Sequence, residues 1–202
     1  MIATLIRLSN LIYVCIITIS ILQKPISLFS LHPLCMILAW STICEGILSY
    51  SLKHEKNKLE KFKIRVNRHQ IFMVLSTVLI LIGFSIIYQV KENSLSEHFT
   101  TNHGYYGALI STIVILQGFG ALIVFNTYHL ASKLFWTLHG TFTIFAIVGV
   151  WLITWLHLYT TDSWFVGFVK FGMVWNQFGV FSFLCSGILL LSTLVVFGSN
   201  KI

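Results

Sequence analysis

Six long apolar runs, separated by short polar breaks, occupy nearly the whole chain, at about residues 3–22, 31–52, 69–90, 103–125, 134–157 and 172–197. A helix of ~20 residues rising 1.5 Å per residue crosses a hydrocarbon core of ~30 Å. Inside lipid the backbone must satisfy its own hydrogen bonds, so each run is expected to be a helix. The expected fold is therefore all-α, a six-span transmembrane helical bundle. The alternative, a soluble helical protein, lacks surface: only 9% of the 202 residues are charged, against about 25% in soluble domains. No room remains for a second compact domain, so residues 1–202 read as a single membrane domain. No internal repeat is visible. Arg7 before the first run resembles the start of a signal peptide, but Gln23-Lys24-Pro25 is no small-residue cleavage site, so a retained span is expected.

Basic residues set the orientation. Lys53, Lys56, Lys58, Lys61, Lys63, Arg65 and Arg68 crowd between the second and third runs, and Arg7, Lys133 and Lys201 fall on the same side. Lys24, Lys91 and Lys170 fall on the other. Loops rich in Lys and Arg stay in the cytoplasm, so both termini are expected there. Such a cluster beside membrane spans is read as a topology signal; nucleic acid is not an expected partner, whereas the lipid bilayer is. Cys15, Cys35, Cys44 and Cys185 lie within apolar runs, without a CxxC or CxxCH pattern, and read as small buried hydrophobes with no covalent haem attachment.

Four histidines stand near the starts of four successive runs: His32, His69, His103 and His139. Successive spans run in opposite directions, so His32 and His103 are expected near the outer face and His69 and His139 near the inner one. An imidazole within a span is unfavourable unless paired or turned into the bundle. One such residue reads as a packing histidine. Four of them, two per leaflet, read as axial ligands for two haems, since neutral imidazole ligates haem iron well. Zinc or di-iron would require Glu, Asp or Cys at the same level. Glu45, the one acid well inside a span, is roughly 20 Å along its helix from His32. His54 and His129 in inner loops, and His98 and His157 at the outer margin, are weaker candidates. Gly104, Gly107, Gly118, Gly120 and Gly140 admit a flat macrocycle or close helix packing equally well. Trp155, Tyr159 and Trp164 read as an interfacial belt.

These features resemble the eukaryotic cytochrome b561 family over spans two to five. The carriers are His32-Pro33-Leu34-Cys35-Met36, Glu45-Gly46-Ile47-Leu48, His69, Asn102-His103-Gly104 and Leu138-His139-Gly140. The resemblance implies a four-helix haem-binding core of spans two to five, with spans one and six peripheral. It implies two non-covalent haem b groups, an outer one held by His32 and His103 and an inner one held by His69 and His139. No catalytic residue beyond the haems is implied. The implied donor is cytosolic ascorbate, and the implied acceptor is monodehydroascorbate or ferric iron across an endomembrane, of the endoplasmic reticulum or a vesicle. The family tends to form homodimers. Vesicle members carry an Arg-containing stretch after span two; here the place reads Ser49-Tyr50-Ser51-Leu52-Lys53. Lys63, Arg65 and Arg68 lie just before His69 and are the candidates to bind an anionic donor, the alternative being that they are only topology-setting charge.

Two other functions are weighed against this one. A flavocytochrome-type reductase places two ligands on one helix about four turns apart, and no span here carries such a pair. A transporter or structural membrane protein would use the histidines for packing or proton transfer, and would show no haem spectrum.

Overall fold

The computed structural model describes residues 2–22, 25–51, 58–126, 133–159 and 184–195. All of the regular structure among them is helical: α1 (Ile2–Leu22), α2 (Leu28–Ser51), α3 (Lys58–Asn93), α4 (Asn102–Asn126) and α5 (Lys133–Tyr159), followed by α6 (Leu184–Val195). Among the described residues, three helices have spans long and apolar enough to cross a membrane, Leu28–Tyr50, Lys63–Asn93 and Asn102–Ile123. The apolar stretches Ala3–Ile19, Thr137–Ile153 and Leu184–Val195 are shorter. The molecule is a membrane protein. The expectations for Lys53, His54, Lys56, His129, Trp164 and Lys170, and for the side chains of Trp155, His157 and Tyr159, lie outside the described residues.

Two helix starts differ from the hydropathy boundaries. α2 begins at Leu28, so Pro33 lies inside the helix and not in its first turn. The cause is a serine cap. Ser27 N–H donates to Ser30 Oγ at 3.1 Å, one half of a capping box, and Ser30 N–H closes the first turn on the Ser27 carbonyl at 3.0 Å. α3 begins at Lys58, so Lys58, Lys61, Lys63, Arg65 and Arg68 stand on a helix and not in a loop. Lys, Glu and Arg are good helix formers and no Gly or Pro interrupts them, so the helix runs on past the apolar segment. At 36 residues α3 is about 54 Å long, well beyond the hydrocarbon core.

The other end of α3 closes in a Schellman turn. Leu95 N–H donates to Glu92 O at 3.1 Å and Ser96 N–H to Lys91 O at 3.0 Å, with Leu95 in the left-handed region at φ 51°. Thr101 then caps α4: its Oγ1 accepts from Gly104 N–H at 3.1 Å, which fixes His103 in the first turn.

α2 and α3 pack antiparallel along most of their length and form the tightest seam. The buried core joins Ile37, Trp40, Ile43, Ile47 and Leu48 of α2 to Ile6, Tyr13 and Ile17 of α1, Ile80 of α3, Ile147 of α5 and Leu189 of α6. α1 and α6 thus contribute directly to the core around α2. Ile71, Val74, Val78 and Ile82 on α3, like Leu116 and Ile123 on α4, are exposed, as lipid-facing side chains are.

Candidate functional site

Each of the four histidines meets, on the neighbouring antiparallel helix, the residue fourteen positions after that helix's own histidine. His32 Nδ1 lies 2.9 Å from the carbonyl of Gly83, and His69 Nδ1 lies 3.0 Å from that of Gly46. His103 Nδ1 is 3.4 Å from the carbonyl of Ile153, and His139 Nδ1 is 3.4 Å from Gln117 Nε2. Fourteen residues are close to four helical turns, roughly 21 Å, so the later residue returns to the same helix face. Two antiparallel helices in this register bond reciprocally at both ends. The α2–α3 and α4–α5 hairpins obey the same rule, a direct repeat of one hairpin that side-chain identity alone hides.

Two glycines make the first hairpin possible. A Cβ on Gly83 would sit 3.0 Å from Met36 Sδ and 3.1 Å from Cys35 Cβ, and a Cβ on Gly46 would collide with the end of Met73 and sit 3.2 Å from Phe72 Cβ. The contacts match in register, three and four residues after His32 and after His69. Without side chains at Gly46 and Gly83 the carbonyls come within reach of the rings.

A carbonyl can only accept, so the Nδ1 atoms of His32, His69 and His103 carry the proton and donate it. That tautomer leaves Nε2 bare, the state in which imidazole binds a metal, and the held N–H also raises ligand basicity. Around His139 the arrangement differs. Gln117 Nε2 donates to the His139 carbonyl and to Thr143 Oγ1, both at 2.7 Å, and Thr143 Oγ1 donates to the same carbonyl at 2.8 Å. This brace fixes the backbone that carries the ring.

The rings also pair between hairpins. His69 and His139 have centroids 6.4 Å apart and planes at 87°. Two imidazoles bound through nitrogen at roughly 2 Å on opposite sides of one metal would have centroids on the order of 6 Å apart. Tyr50 lies 5.6 Å from His69, and Phe135 is stacked 6.2 Å from His139. At the other end, His32 and His103 line one cavity of about 610 Å³ with Phe29, Phe84, Gly104 and Gly107, a size suited to a cofactor. Among the described residues no three His, Cys, Asp or Glu side chains gather to hold a bare metal ion. A macrocycle that brings its own equatorial donors and needs only two axial imidazoles fits this donor set.

The weaker candidates occupy other roles. His98 pairs with Glu92 at 2.8 Å and stacks on Tyr88 at 4.3 Å, at the rim of the large cavity. Gly118 serves helix packing, since a Cβ there would lie 2.7 Å from Thr77 Oγ1. Lys63 and Arg68 are exposed and Arg65 is half-buried, all on the second and third turns of α3. Arg68 borders a second cavity of about 340 Å³, shared with Arg7, Glu45, Ser49, Ile71 and Phe72. Glu45 is not alone: Arg7 Nε and Nη2 donate to its two oxygens at 2.6 and 3.0 Å. The signal for that pair was two opposite charges within apolar runs, which lipid forces together.

A family model described as eukaryotic cytochrome b561 matches residues 31–148. No curated protein and no solved structure matches the chain. The matched stretch is more than half of the sequence and runs from the residue before His32 to beyond His139, so all four rings lie within it, while the end of α5 that carries Ile153 lies past it. This chain therefore belongs to the eukaryotic cytochrome b561 family, and so to proteins that bind b-type haem and carry electrons across a membrane.

Proposed function

We propose that the chain holds two b haems and passes one electron at a time from cytosolic ascorbate to monodehydroascorbate or ferric iron on the far side. His32 and His103 hold the outer haem, and His69 and His139 the inner one. The observation that carries this reading is the facing of His69 and His139 at 6.4 Å, each on a hairpin that braces it. Bound haem supplies reversible one-electron iron chemistry. The protein's own part is to hold each ring and to exclude water. The carbonyls of Gly46, Gly83 and Ile153 accept hydrogen bonds from the Nδ1–H groups of His69, His32 and His103, so Nε2 of those rings would be the coordinating atom. With His32 and His103 on one haem and His69 and His139 on the other, the iron would be left no site for oxygen, which would favour electron transfer.

In this reading the chain is one domain of six spans, with α2–α5 as the four-helix haem-binding core and both termini cytoplasmic. Its place is an endomembrane and its assembly a homodimer. The His-Gly after a short outer loop supports a likeness to the branch called cytochrome b561 domain-containing protein 2. Lys63, Arg65 and Arg68 attract the ascorbate anion to the inner side, an effect that salt weakens. A visible spectrum of the purified protein tests the reading. Ascorbate should bring up the α-band of a reduced b-type cytochrome, more slowly in Arg65→Gln/Arg68→Gln and at high ionic strength. A chain without that band would be a transporter or structural protein with packing histidines. A band that dithionite raises and ascorbate does not would retain the haems and remove ascorbate.

A further inference from the structure

We infer that the notch between α1, α2 and α3 is a binding site for the phosphate of an anionic phospholipid. It lies in the leaflet bordering the basic end of α3. The inference rests on the membrane reading and not on the haem assignment. The notch is the cavity of about 340 Å³ in which Arg7, Glu45, Ser49 and Arg68 meet over Ile71 and Phe72.

Its charge is set by two guanidinium groups and one carboxylate, a net +1. Arg7 spends Nε and Nη2 on Glu45, two of the five donors of a guanidinium. That bidentate contact holds the planar fork still, and an arginine already oriented loses less freedom when it binds an oxyanion. Arg68 is exposed beside it, and Ser49 adds a hydroxyl. Planar guanidinium pairs suit phosphate oxygens well.

The rest of the notch points to a lipid and not to a dissolved ion. Ile71 is 64% exposed, on the same face as Arg68 and next to the partly exposed Phe72. On α1, Leu8 and Leu11 are exposed as well. A small polar anion has no use for apolar surface there, whereas an acyl chain covers it. Past the notch α3 continues toward its basic N-terminal end, so the notch lies at the level where a span meets the membrane surface. Basic pockets between transmembrane helices at that level are headgroup sites in general.

The full chain is reconstituted in vesicles of phosphatidylcholine with phosphatidylserine. It is then extracted in mild detergent, and lipid retained per chain is read by native mass spectrometry. The parent should keep phosphatidylserine in preference to phosphatidylcholine. Arg68→Gln should lower its retention about fivefold. Arg7→Gln/Glu45→Gln, which removes the fork without leaving the Glu45 carboxylate unpaired, should do likewise. Lys63→Gln, on α3 but outside the notch, should change little. Equal losses in Lys63→Gln and Arg68→Gln would reduce the effect to general surface charge and overturn the site. Displacement of the lipid by millimolar inorganic phosphate would make the ligand a free anion and overturn the lipid assignment. Haem content is read on the same samples. Lipid retained by a chain that binds no haem would overturn the electron-transfer reading alone.

Discussion

At the scale of single residues, an imidazole that binds iron must have one nitrogen held and the other bare. Gly46, Gly83 and Ile153 hold theirs with backbone carbonyls, while His139 relies on Gln117 and Thr143 bracing its own backbone. Outer-shell partners of this kind are typically worth 10–100-fold in metal affinity. Gln117→Leu should therefore weaken haem binding at His69 and His139 by about that factor and leave the His32–His103 site unchanged, as measured by haem titration of the variant. Gly83→Val should act on the other haem, because Cys35 Cβ gives no room and the α2–α3 seam must open. The four histidines are legible in the sequence because ionisable groups stand out against an apolar background. Their partners are not. Three are backbone carbonyls, invisible to any residue pattern, and two of those belong to glycines that read as ordinary helix packing. Gln117 was accessible, as an uncharged polar side chain deep in an apolar run that needs a partner.

At the scale of helices, hydropathy locates the lipid-crossing segment and not the helix. It placed the start of the third span at 69, whereas the helix begins at Lys58 and carries the basic residues. Continuation is a matter of local propensity, which Lys, Glu and Arg supply as well as Leu does. The far end of α3 depends on a turn that L-residues adopt at a cost. Leu95 is left-handed and 95% exposed, so Leu95→Gly removes about 1 kcal/mol of strain and forfeits no packing. Thermal unfolding of the holoprotein should rise accordingly. α1 contributes a charge as well as a surface. Glu45 precedes Gly46, whose carbonyl bonds His69, so Arg7 neutralises a carboxylate one peptide from that contact. Arg7→Gln leaves the carboxylate uncompensated and should lower the potential of the inner haem by on the order of 50 mV. Arg7→Gln/Glu45→Gln should restore most of it in a redox titration.

At the scale of the whole molecule, two antiparallel hairpins built on one fourteen-residue rule put a pair of imidazoles toward each end. The bundle's helical class and its membrane setting follow from composition and run length. Its hairpin repeat does not, because the repeat lies in spacing and backbone contacts while most side chains between the matched positions differ. The central claim is that the four histidines make two separate haem sites and not one site or none. The most direct measurement is haem per chain, by pyridine haemochrome on the purified protein, for the parent, His103→Ala and His139→Ala, with the low-spin ferric signals recorded by electron paramagnetic resonance. The account predicts two haems and two low-spin signals in the parent. Each variant should lose a different signal and fall to about one haem. Two haems retained in either variant, or the same signal lost in both, would contradict it.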